Sequence, residues 1–287
     1  MRLITVDSCV STCILPRATI SKSEHIPANS NNTLQIGDVH ITGLSDGSIS
    51  FDPRVLFPEE SLEIWEPYYD RFPEYFSGQF FQNNLGSFVF TSGGKRVLAD
   101  SGFGPHGDML GHPAPGELIQ DFEKNGIGLD TIDTVFLTHL HDDHVGWNHF
   151  TTEEMLSDPN RGEAANRSVM PLEKQGVLDL MDGETELAHG ITAFPTPGHT
   201  PGHMSLLIAS NNERAMLVGD ILGSPMQATE TDLHYWPDWD GPMGIKTRKD
   251  ILDRAEREDS VVIRSHLSYP GCGTMIRWEG RRYWKAL

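Results

Sequence analysis

Between Thr138 and Val145 the chain reads Thr-His-Leu-His-Asp-Asp-His-Val, with three histidines and two aspartates in the six positions from His139 to His144. Packing gives no reason for such a cluster. Imidazole nitrogens and carboxylate oxygens are instead good ligands for zinc, iron or manganese. Three distant blocks repeat the pattern. Pro197-Gly198-His199-Thr200-Pro201-Gly202-His203 holds a histidine at the tip of a tight turn. Leu217-Val218-Gly219-Asp220 is an apolar run that ends in a carboxylate, and Val261-Val262-Ile263-Arg264-Ser265-His266 ends in a histidine. Four runs that each deliver a ligand imply a metalloenzyme.

These ligands need strand ends to carry them. Thr134-Val135-Phe136-Leu137-Thr138 is apolar and β-branched, as a short buried strand should be. Further strands are expected at Ile191–Phe194, Met204–Ala209, Ala215–Val218 and Val261–Arg264, and two more near Met275–Trp278 and Arg282–Trp284. Glu117–Asn125 puts Leu118, Ile119 and Phe122 on one helical face, with Gly126 as its stop. A second helix over Thr247–Asp259 buries Ile251, Leu252 and Ala255. In the first half, strands at Val39–Ile41, Ser87–Thr91 and Arg96–Ala99 include a hairpin turned by Gly93-Gly94. Strands that meander and then alternate with helices give a mixed α/β architecture. Residues 51–84 are dense in aromatics, which makes them a packed excursion, a pocket wall or a dimer contact. Residues 1–34, rich in Ser, Thr and Asn, read as an extended arm, loosely ordered or used in a dimer, ahead of one catalytic domain over 35–287.

The 287 residues are 38% hydrophobic and 22% charged, the balance of a soluble globular protein. A net charge of -19 excludes a nucleic-acid footprint and an anionic membrane surface, and favours a neutral or cationic small-molecule substrate. No apolar run is long enough for a membrane helix, and Asp7, Ser8 and Ser11 interrupt any secretory core. Cys9, Cys13 and Cys272 are too few for a disulfide framework, so a cytoplasmic location is expected.

Taken in order, His-x-His-x-Asp-His, Pro-Gly-His-Thr-Pro-Gly-His, Gly-Asp and a strand ending in Ser-His resemble the metallo-β-lactamase superfamily, from about residue 37 onward. The resemblance implies a four-layer αβ/βα sandwich with two metals at its edge, taken as zinc, with manganese, cobalt or iron as alternatives. It assigns His139, His141 and His199 to one metal, Asp143, His144 and His266 to the other, and Asp220 to the bridge. It also implies a metal-bridging hydroxide as nucleophile, with Asp143 as a proton shuttle. Asp100, before Ser101-Gly102, resembles the aspartate that orients a ligand, and His203 is expected to support the site by hydrogen bonding. Asp142 reads as a solvated turn residue.

Within the superfamily, Asp100-Ser101-Gly102, Thr247-Arg248 at a helix start and His266-Leu267-Ser268-Tyr269-Pro270-Gly271-Cys272-Gly273 resemble the lactonase and methyl-parathion-hydrolase-like branch. That implies opening of a lactone, such as an acyl-homoserine lactone, or cleavage of a related carboxylic ester. The alternatives are phosphotriester hydrolysis and, on a single iron, sulfur dioxygenation. Acyl-homoserine lactonases often carry a tyrosine three residues past the bridging aspartate. Gly223 stands there in this chain, and Tyr269 is the candidate substitute. Trp147, Trp236 and Trp239 are read as pocket wall or packing.

Overall fold

A computed structural model describes residues 2–5, 20–22, 32–109, 112–148, 168–267 and 271–287. The strands of the first half are β1 (Arg2–Thr5), β2 (Ile20–Lys22), β3 (Thr33–Ile36), β4 (Val39–Phe51), β5 (Phe76–Ser77), β6 (Phe80–Ser92) and β7 (Lys95–Ala99). A short pair, β8 (Asp108–Met109) and β9 (His112–Pro113), precedes β10 (Thr134–Phe136) and β11 (Leu178–Leu180). The second half supplies β12 (Thr185–Ala188), β13 (Ile191–Pro195), β14 (Met204–Ser210), β15 (Glu213–Leu217), β16 (Val261–Ile263), β17 (Cys272–Trp278) and β18 (Arg281–Ala286). The principal helices are α1 (Glu66–Tyr69), α2 (Leu118–Lys124), α3 (Asp142–Val145), α4 (Met170–Lys174) and α5 (Gly241–Arg257).

Among the described residues these strands build two large sheets. The first runs β11-β1-β10-β7-β6-β4-β2, with β3 added on β4 and β5 on β6. The second runs from β12 to β18 in chain order. Its one parallel pair joins β15 to β16, and α5 fills the crossover between them, as a parallel connection requires.

Alternation along the strands sorts the core into layers. Phe88, Phe90, Val97 and Ala99 of the first sheet meet Leu206, Ile208, Ala215 and Leu217 of the second in one apolar seam between the sheets. Val89 and Leu98 face the other way, onto Leu118 and Phe122 of α2 and Leu172 of α4. Met216 and Val262 likewise turn outward, onto Ile251, Leu252 and Ala255 of α5. The order is helix, sheet, sheet, helix: the expected four-layer αβ/βα sandwich.

The expected strands and the Gly93-Gly94 hairpin are present, the two glycines having φ of +56° and +76°. The second helix starts earlier than its apolar spacing suggests. Asp240 caps it by accepting from Met243 N at 2.9 Å, so the Gly-Pro pair at 241–242 begins the helix instead of breaking it. The aromatic segment is core: Phe51, Phe57, Trp65, Tyr75 and Phe81 are buried against the outer face of the second sheet. Two pieces of the expected N-terminal arm, β1 and β2, pair within the first sheet, β1 parallel to both β10 and β11. No described helix is long and apolar enough to cross a membrane.

Candidate metal centre

Every candidate ligand sits just past the end of a strand at one edge of the sandwich. His139 follows β10, and His141 is the N-cap of α3, which carries Asp143 and His144. His199 occupies the turn between β13 and β14, Asp220 follows β15, and His266 follows β16. The two sheets thus bring four remote blocks together, as their positions at strand ends predict.

Three sets of donor atoms converge to within 4.8 Å of one another: His139 with His141 and His199, His139 with His144 and Asp220, and Asp143 with His144 and His266. His141 Nδ1 lies 3.0 Å from both His139 Nε2 and His199 Nε2. On the other side His144 Nε2 and His266 Nε2 are 3.1 Å apart, and Asp143 Oδ2 is 3.2 Å from His266 Nε2. Asp220 faces both sets, with Oδ1 3.3 Å from His266 Nε2 and Oδ2 3.7 Å from His199 Nε2.

The spacing tests whether cations fit. One ring nitrogen offers a single proton or lone pair, so His141 Nδ1 cannot satisfy two nitrogens by hydrogen bonding. Tetrahedral zinc with bonds of about 2.0–2.1 Å would set its ligands roughly 3.3 Å apart. The observed separations match that edge length. Although His266 Nε2 is 3.3 Å away, buried Asp220 Oδ1 has no well-formed hydrogen bond among the described residues, the state of an acceptor awaiting a cation. The residues fit two divalent ions.

Hydrogen bonds to the far ring atoms fix how the imidazoles present themselves. Thr138 Oγ1 meets His139 Nδ1 at 3.0 Å, Asp100 Oδ2 meets His144 Nδ1 at 2.8 Å, Asp238 Oδ1 meets His199 Nδ1 at 3.0 Å, and His266 Nδ1 lies 2.8 Å from Asn84 O. In each case Nε2 is left to the centre. Asp100 does this from a left-handed backbone, φ +59°, while accepting from Thr138 N at 2.8 Å. His203 is no part of the donor sets: its Nε2 accepts from Asp220 N at 3.2 Å and its Nδ1 meets Thr196 Oγ1 at 2.9 Å.

Electrostatics divides the donors into two kinds. Burial, reinforced by neighbouring imidazoles, pushes His139 and His199 well below the usual histidine range, so both stay neutral with a lone pair available. Burial also opposes charge on His266, yet Asp220 and Asp143 outweigh it and lift that pKa to about 10. His144, and after it His266, hold Asp143 well below the carboxylate range against its own burial. Positive charge is therefore wanted beside Asp143 and Asp220. Asp143 is the more open of the two carboxylates, 19% exposed against 5% for Asp220.

Asp238, Asp46 and Tyr235 carry no spacing that sequence reading could detect. Asp238 pairs with His199 and, at 3.4 Å, with Arg248 Nη2. Arg248 in turn donates to Ile221 O, Thr231 O and Leu233 O, tying α5 to the loop after Asp220. Asp46 accepts from Phe103 N, Gly104 N, Leu118 N and Trp147 Nε1 at 2.7 to 3.1 Å, and burial still pushes its carboxyl up to about 6. That bond accounts for Trp147, which follows α3. Tyr235 stacks on His199 with ring centres 5.5 Å apart. Tyr269 lies outside the described residues.

The model of the metallo-β-lactamase superfamily matches residues 86–266, a span that includes every donor above, and the chain belongs to that superfamily. An N-acyl homoserine lactonase of a Bacillus species is 26% identical over 148 residues, which cover 49% of this chain and 58% of that relative. Among solved structures, the dizinc quorum-quenching lactonase AidC, held with its product, superposes with a TM-score of 0.73 at 20% identity, covering 89% of this chain and 96% of that one. The hydrolase AbOPH superposes with a TM-score of 0.72 at 23% identity over the same shares. At these identities the two structures share the fold.

Proposed function

We propose that the chain is a dinuclear metal hydrolase that opens a lactone, such as an acyl-homoserine lactone, or cleaves a related carboxylic ester. His139, His141 and His199 would hold one ion, Asp143, His144 and His266 the other, and Asp220 would join them, with zinc the expected metal. The observation that carries the reading is Asp220, whose two oxygens face one donor set each. Relatives named lactonases support the substrate class. Bound there, two divalent ions supply Lewis acidity and bring the pKa of water towards neutrality.

The chain's own groups account for the remaining work. Asp100, Asp238, Thr138 and Asn84 O hold four imidazoles in one tautomer, so no ligand has to reorient during turnover. Asp143 is partly exposed and ionised, so it passes a proton on instead of storing it; its destination is the alkoxide released when water adds to the carbonyl carbon and the acyl C–O bond breaks. Tyr269 is retained as a candidate donor to the carbonyl oxygen.

The test is proton release by metal-replete protein on a panel of lactones, with an aryl phosphotriester for comparison. Chelator-sensitive lactone opening at two metals per chain is expected. Phosphotriester cleavage without lactone turnover would replace the reading, and one tightly held iron per chain would remove its dinuclear part.

A further inference from the structure

Just past the strand that leads to His266 lies a buried cation whose guanidinium has no hydrogen-bond partner among the described residues. Arg264 is completely buried, and among the described residues none of Nε, Nη1 and Nη2 has a hydrogen-bond partner. Arg248 shows how this fold otherwise treats a buried guanidinium: it bonds three carbonyl oxygens and the Asp238 carboxylate. A guanidinium presents five N–H donors and keeps its charge inside proteins, so burying one unpaired is among the most costly arrangements a fold can hold. Arg264 has no such partner set, two residues from a candidate metal ligand.

Its surroundings say what it faces. Ile263 belongs to the seam between the sheets, while Val262 belongs to the core under the aromatic segment. Alternation sends Arg264 to the Val262 side. Its charge is felt there by Tyr75 and Tyr235 of that core and by Asp143 and Asp220 of the metal centre. Trp65 lies in the same core, completely buried, and its Nε1 also has no hydrogen-bond partner among the described residues. Unsatisfied buried donors thus accompany the core that underlies the aromatic segment, and one of them, Arg264, is electrostatically coupled to the candidate metal ligands.

We propose that Arg264 is the anchor of a carboxylate-binding subsite, and that the ester or lactone hydrolysed here carries a carboxylate away from its reacting carbonyl. The inference rests on the hydrolase reading above. The planar fork of the guanidinium matches two carboxylate oxygens, and exclusion of water strengthens such a bond. The net charge of -19 does not oppose this, because exposed charges are screened over about 8–10 Å whereas Arg264 would be in contact. The substrate is then anionic at one end, contrary to what bulk charge alone suggests.

The test compares the metal-replete protein with Arg264→Met and Arg264→Lys, after equal metal content is established. One arm measures glutarate binding by calorimetry. The other measures kcat/KM on 4-nitrophenyl glutarate monoester and on 4-nitrophenyl valerate, which differ in a terminal carboxylate against a methyl group. Expected are a wild-type preference for the carboxylate ester, loss of about 10- to 100-fold of that preference in Arg264→Met, partial return in Arg264→Lys, and a parallel order in glutarate affinity. A preference unchanged by Arg264→Met, or glutarate affinity equal in all three proteins, would overturn the proposal. If wild type turns over neither ester, the hydrolase reading falls while glutarate binding still decides the role of Arg264. Should Arg264→Met fail to fold, Arg264→Lys decides, since it keeps the charge and loses the fork.

Discussion

Gly223→Ala tests how tightly the metal centre is wedged against its aromatic support. A Cβ at Gly223 would lie 2.4 Å from Tyr235 Cδ2 and 2.5 Å from Cε2. Ordinary carbon contacts need about 3.5 Å, so the ring must retreat by roughly 1 Å. It has little room to do so: Phe57 and His199 each have a ring centre 5.5 Å from that of Tyr235. Gly223 does not have a positive φ, so the backbone itself accepts alanine and the clash is the whole effect. Overpacking of this kind costs about 2 kcal/mol, and in a chain of this size that lowers the melting temperature by roughly 3 °C. Displacement carried to His199 should lower kcat/KM on the best lactone about 100-fold, the usual consequence of a 1 Å error in positioning. Thermal unfolding and initial rates read the two effects separately. A double-mutant cycle with Tyr235→Ala assigns them, because the alanine at 223 should then become nearly neutral to stability. Unchanged melting and turnover in Gly223→Ala alone would refute the wedge.

Asp220→Asn should reduce bound metal below two ions per chain by elemental analysis after gel filtration, with activity falling in step; two retained ions and full turnover would remove Asp220 from the bridge. Asp238→Asn leaves the histidine donors in place but weakens the hold on His199, so metal affinity by chelator competition should drop about 10- to 100-fold, and equal affinity would make Asp238 a packing residue. Trp147→Phe deletes the 2.8 Å bond to Asp46 and should cost about 1.5–3 kcal/mol in urea unfolding. The Asp46 carboxyl stands at about 6 in the folded chain against its ordinary 3.8, so between those values the folded chain keeps a proton that the unfolded chain has released. Stability contributed by that proton is full below pH 3.8 and lost as pH rises through 6, by about 3 kcal/mol. Asp46→Asn should lack this step; a stability difference from wild type that stays flat between pH 4 and 7 would show that Asp46 titrates normally.

The candidate donors were legible because ligand chemistry restricts residue type and strand ends restrict position. His139, His141, Asp143 and His144 sit within a single turn, and His199, Asp220 and His266 each close an apolar run, so local pattern sufficed. The groups that orient them were largely hidden. Asp100 could be found because it also closes a strand, but Asp238 lies in Trp236-Pro237-Asp238-Trp239, where nothing distinguishes a buried carboxylate from a loop residue. Its partner Arg248 belongs to a motif visible in the sequence, yet its role depends on carbonyls 15 to 27 residues away that only the fold brings near. Asp46 shows the limit most clearly: four donors from three separate segments converge on one side chain in the middle of a long strand.

The absent tyrosine at 223 illustrates the converse, a position whose meaning changes once the fold is known. By sequence, Gly223 is a missing functional group. In the structure it is the space that Tyr235 requires, since any side chain there would displace the ring stacked on His199. An aromatic residue reached by a twelve-residue detour thus fills the neighbourhood of a residue three places from Asp220, and its phenol feels Asp220, Asp143 and Arg264. Restoring tyrosine at 223 by mutation should therefore not improve lactone turnover, because it would expel Tyr235 and disturb His199 first. A gain in kcat from Gly223→Tyr with undiminished metal content would show that the pocket has room the packing denies, and would return the question of assistance to the carbonyl to position 223.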